Sequence, residues 1–193
     1  MNKQFIENYL HDVSKLVRRI PIQAIDMAAR SILSCAVRGN TIFAIGNGGS
    51  ASTASHFACD LGKGTRSTQG PLVKAIALTD NIPVITAWAN DTSYQNIFSE
   101  QLKPLASKGD VLLAISGSGN SPNIINAVEY ANSAGVLTLG LAGFSGGRLK
   151  ECANICIIVP SDNMQQIEDA HSVLCHLFAS YVREALQYEG GVS

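Results

Sequence analysis

The sequence predicts an α/β fold: a three-layer αβα sandwich on a five-stranded parallel sheet, preceded by two helices. Two observations carry the prediction. From residue 41 onward, short apolar runs of strand length recur, and stretches of helical pattern lie between them. The composition agrees: 46% hydrophobic against 15% charged residues is the balance of a chain that buries a sizeable core. Strand, helix, strand at this spacing requires right-handed parallel crossovers. These cover both faces of the sheet with helices and put sites at the carboxyl ends of the strands.

The elements follow in order. A first helix spans about 2–19, and a second, about 21–39, has Pro21 in its first turn and Arg38 in its last. Ile25, Ala28, Ala29, Ile32, Leu33 and Ala36 recur at three and four, giving the second helix a strongly apolar face that is read as a subunit contact. Five buried strands are predicted at 41–45, 73–77, 111–115, 136–141 and 155–159. Helices are predicted at about 50–62, 83–89, 93–106, 121–133 and 147–151, with a last one over 163–187. A length of 193 residues suits one domain, divided into a helical pair (1–39) and an α/β core (40–193), with a loose tail at 190–191.

Several function classes are disfavoured at once. Lys plus Arg is 14 and Asp plus Glu 15, a formal charge of −1, so the basic excess of a nucleic-acid binder is missing. No apolar run approaches the roughly 18 residues of a membrane span. The first residues are mixed and polar without an apolar signal segment, so a soluble cytoplasmic protein is expected. Low charge with 17 glycines suggests surface hidden between subunits. The cysteines, Cys35, Cys59, Cys152, Cys156 and Cys175, show no C-x-x-C spacing and read as reduced, mostly buried thiols. Cys59, between site candidates, keeps a reactive alternative.

The chemistry should gather at two loops. The first strand runs into Gly46-Asn-Gly-Gly-Ser-Ala51 and the third into Ser116-Gly-Ser-Gly-Asn-Ser121, followed by Pro122. At such strand-to-helix turns, unpaired N–H groups and the positive end of the helix dipole favour an anion, and serine adds hydroxyl donors. Neither segment has the Lys-Ser/Thr of a P-loop or the dinucleotide pattern G-x-G-x-x-G, so no nucleotide is expected. On the helix after the first loop, His56 and Asp60 are four apart and project from one face. On the last helix Glu168 and His176 are eight apart, about 80° around the axis. His171 lies one turn from Glu168 and reads equally well as a core histidine, while Glu168 and Asp169 read equally well as solvated charges.

These residues resemble a known family. The Gly46–Ser50 loop, Ala54-Ser-His-Phe-Ala58, Ala89-Asn-Asp91, the run from Gly109 to Pro122, and Val159-Pro-Ser161 before the His-bearing helix are similar to the sugar isomerase (SIS) domain, most of all to its phosphoheptose isomerase branch. The resemblance covers nearly the whole chain. It implies conversion of sedoheptulose 7-phosphate to D-glycero-D-manno-heptose 7-phosphate, in a homotetramer with sites between subunits, commonly with zinc. On the family's pattern, Asn47, Gly48 and Ser50 fall on the first loop and Ser116, Ser118 and Ser121 on the phosphate loop. Asn90 and Asp91 match the family's Asn-Asp near the sugar. His56, Asp60, Glu168 and His176 fall on the metal or acid–base positions. Two histidines and two carboxylates suit zinc, with manganese, iron and nickel as other fits.

Four departures stand out against that pattern. Asp60 stands where the family usually has Glu, Glu168 where it has Gln, Gly117 where it has Thr, and Lys63-Gly64 where an Arg is expected. By the resemblance, Asp60 removes the proton beside the carbonyl and His176 exchanges one with the carbonyl oxygen, with Asp91 or Asp169 in reserve if a metal claims Asp60. The other readings are a non-catalytic phosphosugar sensor or scaffold, and a lyase acting on phosphorylated amino sugars. Sugar length and stereochemistry are assigned to the segments near 62–70 and 142–147.

Overall fold

The sheet consists of β1 (Thr41–Gly46), β2 (Lys74–Ala77), β3 (Val111–Ser116), β4 (Leu137–Ala142) and β5 (Ile155–Ile158), all parallel, in the order β2-β1-β3-β4-β5. The computed structural model describes residues 2–65 and 72–189; the tail at 190–193 and residues 66–70 of the segment assigned to sugar selectivity lie outside the described residues. Every strand falls within one residue of its apolar run. β3, at the centre, is buried along its whole length. The expectation of five buried strands is corrected at β2. As an edge strand it has β1 as its one neighbour, and Lys74 and Ile76 are exposed, Ile76 to 41%.

Helices cover both faces, which is why the strands read as continuous apolar runs. On one side α1 (Lys3–Val17), α2 (Ile22–Val37), α3 (Gly49–Cys59) and α8 (Met164–Glu189) pack on Ile42 and Ala44 of β1 and Val111, Leu113 and Ile115 of β3. On the other, α4 (Ile82–Asp91), α5 (Ser99–Leu105), α6 (Pro122–Ser133) and α7 (Gly147–Cys152) pack on the alternate residues Phe43, Ile45, Leu112 and Ala114. Most of the apolar face of α2 is taken up within this chain. Ala28, Ala29, Ile32 and Ala36 are buried in this chain's own core with α8, and the exposed apolar residues of α2 are Ile22, Met27 and Val37. No single helix among the described residues is long and apolar enough to cross a membrane.

Two predicted helices are interrupted. The stretch over 50–62 leaves α-helical geometry after Cys59 and widens into a π-helical turn, Asp60–Gly64. The stretch over 93–106 divides into a 3-10 turn, Tyr94–Asn96, and α5, because Ile97 and Phe98 turn inward to full burial between them.

The strand order reverses between β1 and β3: β1 leads outward to β2 on one side and β3 to β4 and β5 on the other. In open parallel sheets the crevice at such a switch point, beyond the carboxyl ends of the strands, is where ligands bind. Both small-residue loops open there.

Candidate active site

The first loop turns at Gly48, whose φ of +54° favours glycine, and α3 starts at Gly49 with Ser50 buried in its first turn. The second loop leaves β3 at Ser116 and enters α6 through Ser121 and Pro122. Its hydroxyls lie together: Ser116 Oγ is 3.4 Å from Ser121 Oγ and accepts the Gly119 N–H at 3.2 Å, and Ser118 Oγ accepts the Asn120 N–H at 3.2 Å. The β4–α7 turn braces the loop from behind, with the Leu149 N–H donating to the Gly119 carbonyl at 2.9 Å and the Gly143 N–H to the Gly117 carbonyl at 2.9 Å.

At Gly117, where the resemblance expects threonine, an added Cβ would meet Met164 Sδ at 2.5 Å. The methionine at the head of α8 occupies the room that a threonine side chain needs.

His56 and Asp60, one turn apart on the α3 stretch, meet His176 from α8. Asp60 Oδ2 lies 3.6 Å from His56 Nε2 and 3.7 Å from His176 Nε2, and the two imidazoles stand edge to face with centroids 4.8 Å apart. The donor atoms of all three lie within 4.8 Å of one another. Ligands of a tetrahedral zinc at about 2.0–2.1 Å lie roughly 3.4 Å apart, so this donor set fits a divalent ion of that size with little movement. Three residues from two separate segments of sequence thus converge.

Glu168 does not join them. Its carboxylate lies against the first turn of α3, where a Cβ on Gly49 would be 3.0 Å from Oε2. A negative side chain thus faces that helix N-terminus. Asn90 and Asp91, exposed at the end of α4, bond to each other, Asn90 Nδ2 donating to Asp91 Oδ1 at 2.9 Å. Asp169 accepts the Tyr9 hydroxyl at 2.6 Å, tying α1 to α8 and raising the Tyr9 pKa through that bond.

A cavity of about 210 Å³ opens beside Asp60 and His176, with Ser180 and Arg183 of α8 on its wall. Arg183 brings to the site a cation of the kind missing after Asp60, from a helix where spacing alone did not mark it. A larger cavity of about 640 Å³ between α3 and the edge strand, lined by Ser55, Cys59 and Asp80, contains none of the three converging residues. Asn123, Tyr94 and Met164 are further residues that sequence reasoning missed; the sequence signal for Asn123 was its place two residues after Ser121.

Among the thiols, burial raises Cys35 and Cys156 to about 11 and Cys175 to about 12, which keeps them protonated and inert, while Cys59 is exposed.

His171 is a core residue, 1% exposed, with no hydrogen-bond partner for either ring nitrogen among the described residues. Burial lowers its pKa from 6.5 to about 4. The unfolded chain therefore binds a proton here that the folded chain refuses. The stability it allows is complete above the unfolded pKa and is lost as pH falls from 6.5 toward 4. Between about pH 7.5 and pH 5 the expected loss is about 2 kcal/mol. Urea unfolding at the two pH values checks this: wild type should show the loss and His171→Leu should lack that share.

Comparison with known proteins agrees with this geometry. The SIS-domain model matches residues 8–143. The phosphoheptose isomerase of Aliarcobacter butzleri is 35% identical over 186 residues, covering 96% of this chain and 97% of that one. The chain belongs to the phosphoheptose isomerase family of SIS-domain proteins. Among solved structures, a phosphoheptose isomerase from Francisella tularensis superposes with a TM-score of 0.87 at 33% identity, covering 95% of this chain and 100% of that one. The phosphoheptose isomerase of Neisseria gonorrhoeae gives 0.86 at 29% identity, covering 94% and 98%. Phosphoheptose isomerase relatives thus match this chain over nearly its full described length, including both leading helices.

Proposed function

We propose that the protein is an aldose–ketose isomerase that converts sedoheptulose 7-phosphate to D-glycero-D-manno-heptose 7-phosphate. The observation that carries the proposal is the convergence of Asp60 with His56 and His176 where the C-terminal end of α3 meets α8. Ser116, Ser118 and Ser121 hold the phosphate; Asn47, Gly48, Ser50, Asn90 and Asp91 bind along the sugar, and Arg183 supplies a cation beside the reacting end. Asp60 takes the proton from C1 of the ketose while His176 gives one to the C2 carbonyl oxygen, forming the enediol. Return of a proton to C2, with loss of the O1 proton, completes the aldose. The reserve bases are less free, Asp91 accepting from Asn90 and Asp169 from Tyr9.

Zinc would be held by His56, Asp60 and His176, since three protein ligands and an open position are the pattern of catalytic zinc. A bound ion would engage Asp60 and His176 as ligands, and the proton transfer at C1 would then fall to a reserve base, Asp91 or Asp169. When bound, the ion polarises the carbonyl as a Lewis acid. Glu168, a ligand by the family pattern, faces Gly49 and is left to hold the first loop. A phosphosugar sensor would not require the His/carboxylate group, which favours the enzymatic reading.

We further infer one SIS domain over 1–193, working in the cytoplasm as a homotetramer with sites between subunits. Exposed Val173 and Leu177 flank His176 on α8, and Phe5, Leu10, Ile22 and Met27 are exposed on α1 and α2, apolar surface suited to a neighbouring copy.

The test is incubation with sedoheptulose 7-phosphate in deuterated water, with zinc and after chelation. Aldose product with deuterium at C2, and a fall in turnover on chelation, are expected. Product without exchange points to hydride transfer in place of the enediol, and no turnover of any ketose phosphate in a panel, with metal supplied, rejects the isomerase.

A further inference from the structure

The two loops at the switch point are joined by a ladder of side chains whose direction is set by one backbone group. The Ile124 N–H donates to Asn123 Oδ1 at 3.0 Å. A backbone N–H cannot turn round, so this oxygen is an acceptor and the other terminal atom of Asn123 is the amide nitrogen. Asn123 Oδ1 also accepts from Asn47 Nδ2 at 2.9 Å, and Asn123 Nδ2 donates back to Asn47 Oδ1 at 2.8 Å. The Tyr94 hydroxyl then donates to the same Asn47 oxygen at 3.1 Å. The 3-10 turn carrying Tyr94 is itself fixed to α6, since Asn126 Nδ2 donates to the Gln95 carbonyl at 3.2 Å.

The inventory at Asn47 is therefore nearly full. Its oxygen has two lone pairs, both engaged, and its nitrogen has two hydrogens, one engaged. Asn123 is 2% exposed, so water does not readily replace its half of the pair. Tyr94 is 56% exposed and covers the other lone pair from the open side.

We infer that Tyr94 and Asn123 are positioning residues that lock the Asn47 amide with a single N–H directed to the ligand and no free acceptor. This rests on the sugar-phosphate reading above, and it deepens it: the ligand atom facing Asn47 is an acceptor oxygen, a sugar hydroxyl or a phosphoryl oxygen. A ligand offering only a donor there is refused. Because Asn47 follows β1 and Asn123 follows the serine loop, the same ladder also fixes the spacing of the two loops across the crevice.

Steady-state kinetics with sedoheptulose 7-phosphate on wild type, Tyr94→Phe and Asn123→Asp tests it, with thermal unfolding alongside. Tyr94→Phe removes one bond from the Asn47 oxygen and should raise KM roughly 2–10-fold with kcat held within about twofold and the melting temperature unmoved. Asn123→Asp sets an acceptor against the Asn47 oxygen and should raise KM further, roughly 10–100-fold. Unchanged KM in Tyr94→Phe, or a fall in kcat at constant KM, or a melting temperature that drops while KM holds, overturns the inference. Wild type serves as the separate check on the isomerase reading. If it binds the sugar phosphate without turning it over, that reading fails, and the same variant-to-wild-type ratios are read on Kd by calorimetry. Absence of binding by wild type overturns both.

Discussion

Asp60→Asn is expected to lower kcat by about 10²–10⁴-fold while the fold stays intact. The side chain is partly exposed at the rim of the cavity, so the isosteric amide disturbs no packing. It removes the one negative charge set between two imidazoles, and with it the proton acceptor or, where zinc is bound, a metal ligand. Zinc content measured on the purified variant should fall together with kcat. The informative partner is Asp60→Glu, which restores the length usual in the family. It carries the carboxylate about one C–C bond, roughly 1.5 Å, further. Here Oδ2 already sits 3.6 and 3.7 Å from the two Nε2 atoms, so the longer acid overshoots them. A misplacement of about 1 Å can cost on the order of 100-fold in rate, and a loss of that order is expected. Asp60→Glu with wild-type or higher kcat would show that the site is built for the longer side chain.

Asp60 is where α3 gives way to a π-helical turn. A π turn carries an additional residue and re-aims its side chains, and such turns are frequent at functional sites. Nothing in the apolar spacing of 50–62 showed this. Helical periodicity reports which face is buried, and one turn of altered hydrogen bonding leaves that pattern almost unchanged.

The same distinction separates what was legible in the sequence from what was not. Strand positions were legible because β1, β3 and β4 are covered on both faces and so consist mostly of apolar residues. The pairing of His56 with Asp60 followed from i,i+4 spacing, and their meeting with His176 from the family pattern. Glu168 was placed with them on that pattern, yet its carboxylate lies at Gly49, since eight residues along α8 are about 12 Å of rise, which sets Glu168 against the start of α3 and His176 against its end. Asn47 with Asn123 and Tyr9 with Asp169 are pairs 76 and 160 residues apart, and no periodicity connects residues at such separations. The apolar face of α2 was legible as a contact face, but not its partner, because burial against α8 and burial against another subunit leave the same sequence pattern.

Gly119→Ala should be the most damaging single-methyl change in the serine loop. Gly119 has a φ of +66°, a conformation that strains any residue with a Cβ. Its missing side chain also points at backbone, since an added Cβ would collide with the Gly146 carbonyl of the β4–α7 turn. Neither wall can yield as a flexible side chain would. Gly119 donates to the Ser116 carbonyl at 3.0 Å and accepts from the Leu149 N–H at 2.9 Å, and the neighbouring Gly147 would bring a Cβ to 2.6 Å from the Ser118 carbonyl. Strain and overpacking together should destabilise the protein by about 2–5 kcal/mol, read from denaturant unfolding. The surviving folded fraction should fare no better in function. Relief of the clash has to move the loop away from the turn by about 1 Å, which separates Ser118 from Ser116 and Ser121 and should lower kcat/KM by on the order of 100-fold. A folded Gly119→Ala protein with unaltered kcat/KM would mean that the phosphate is held elsewhere than at this loop.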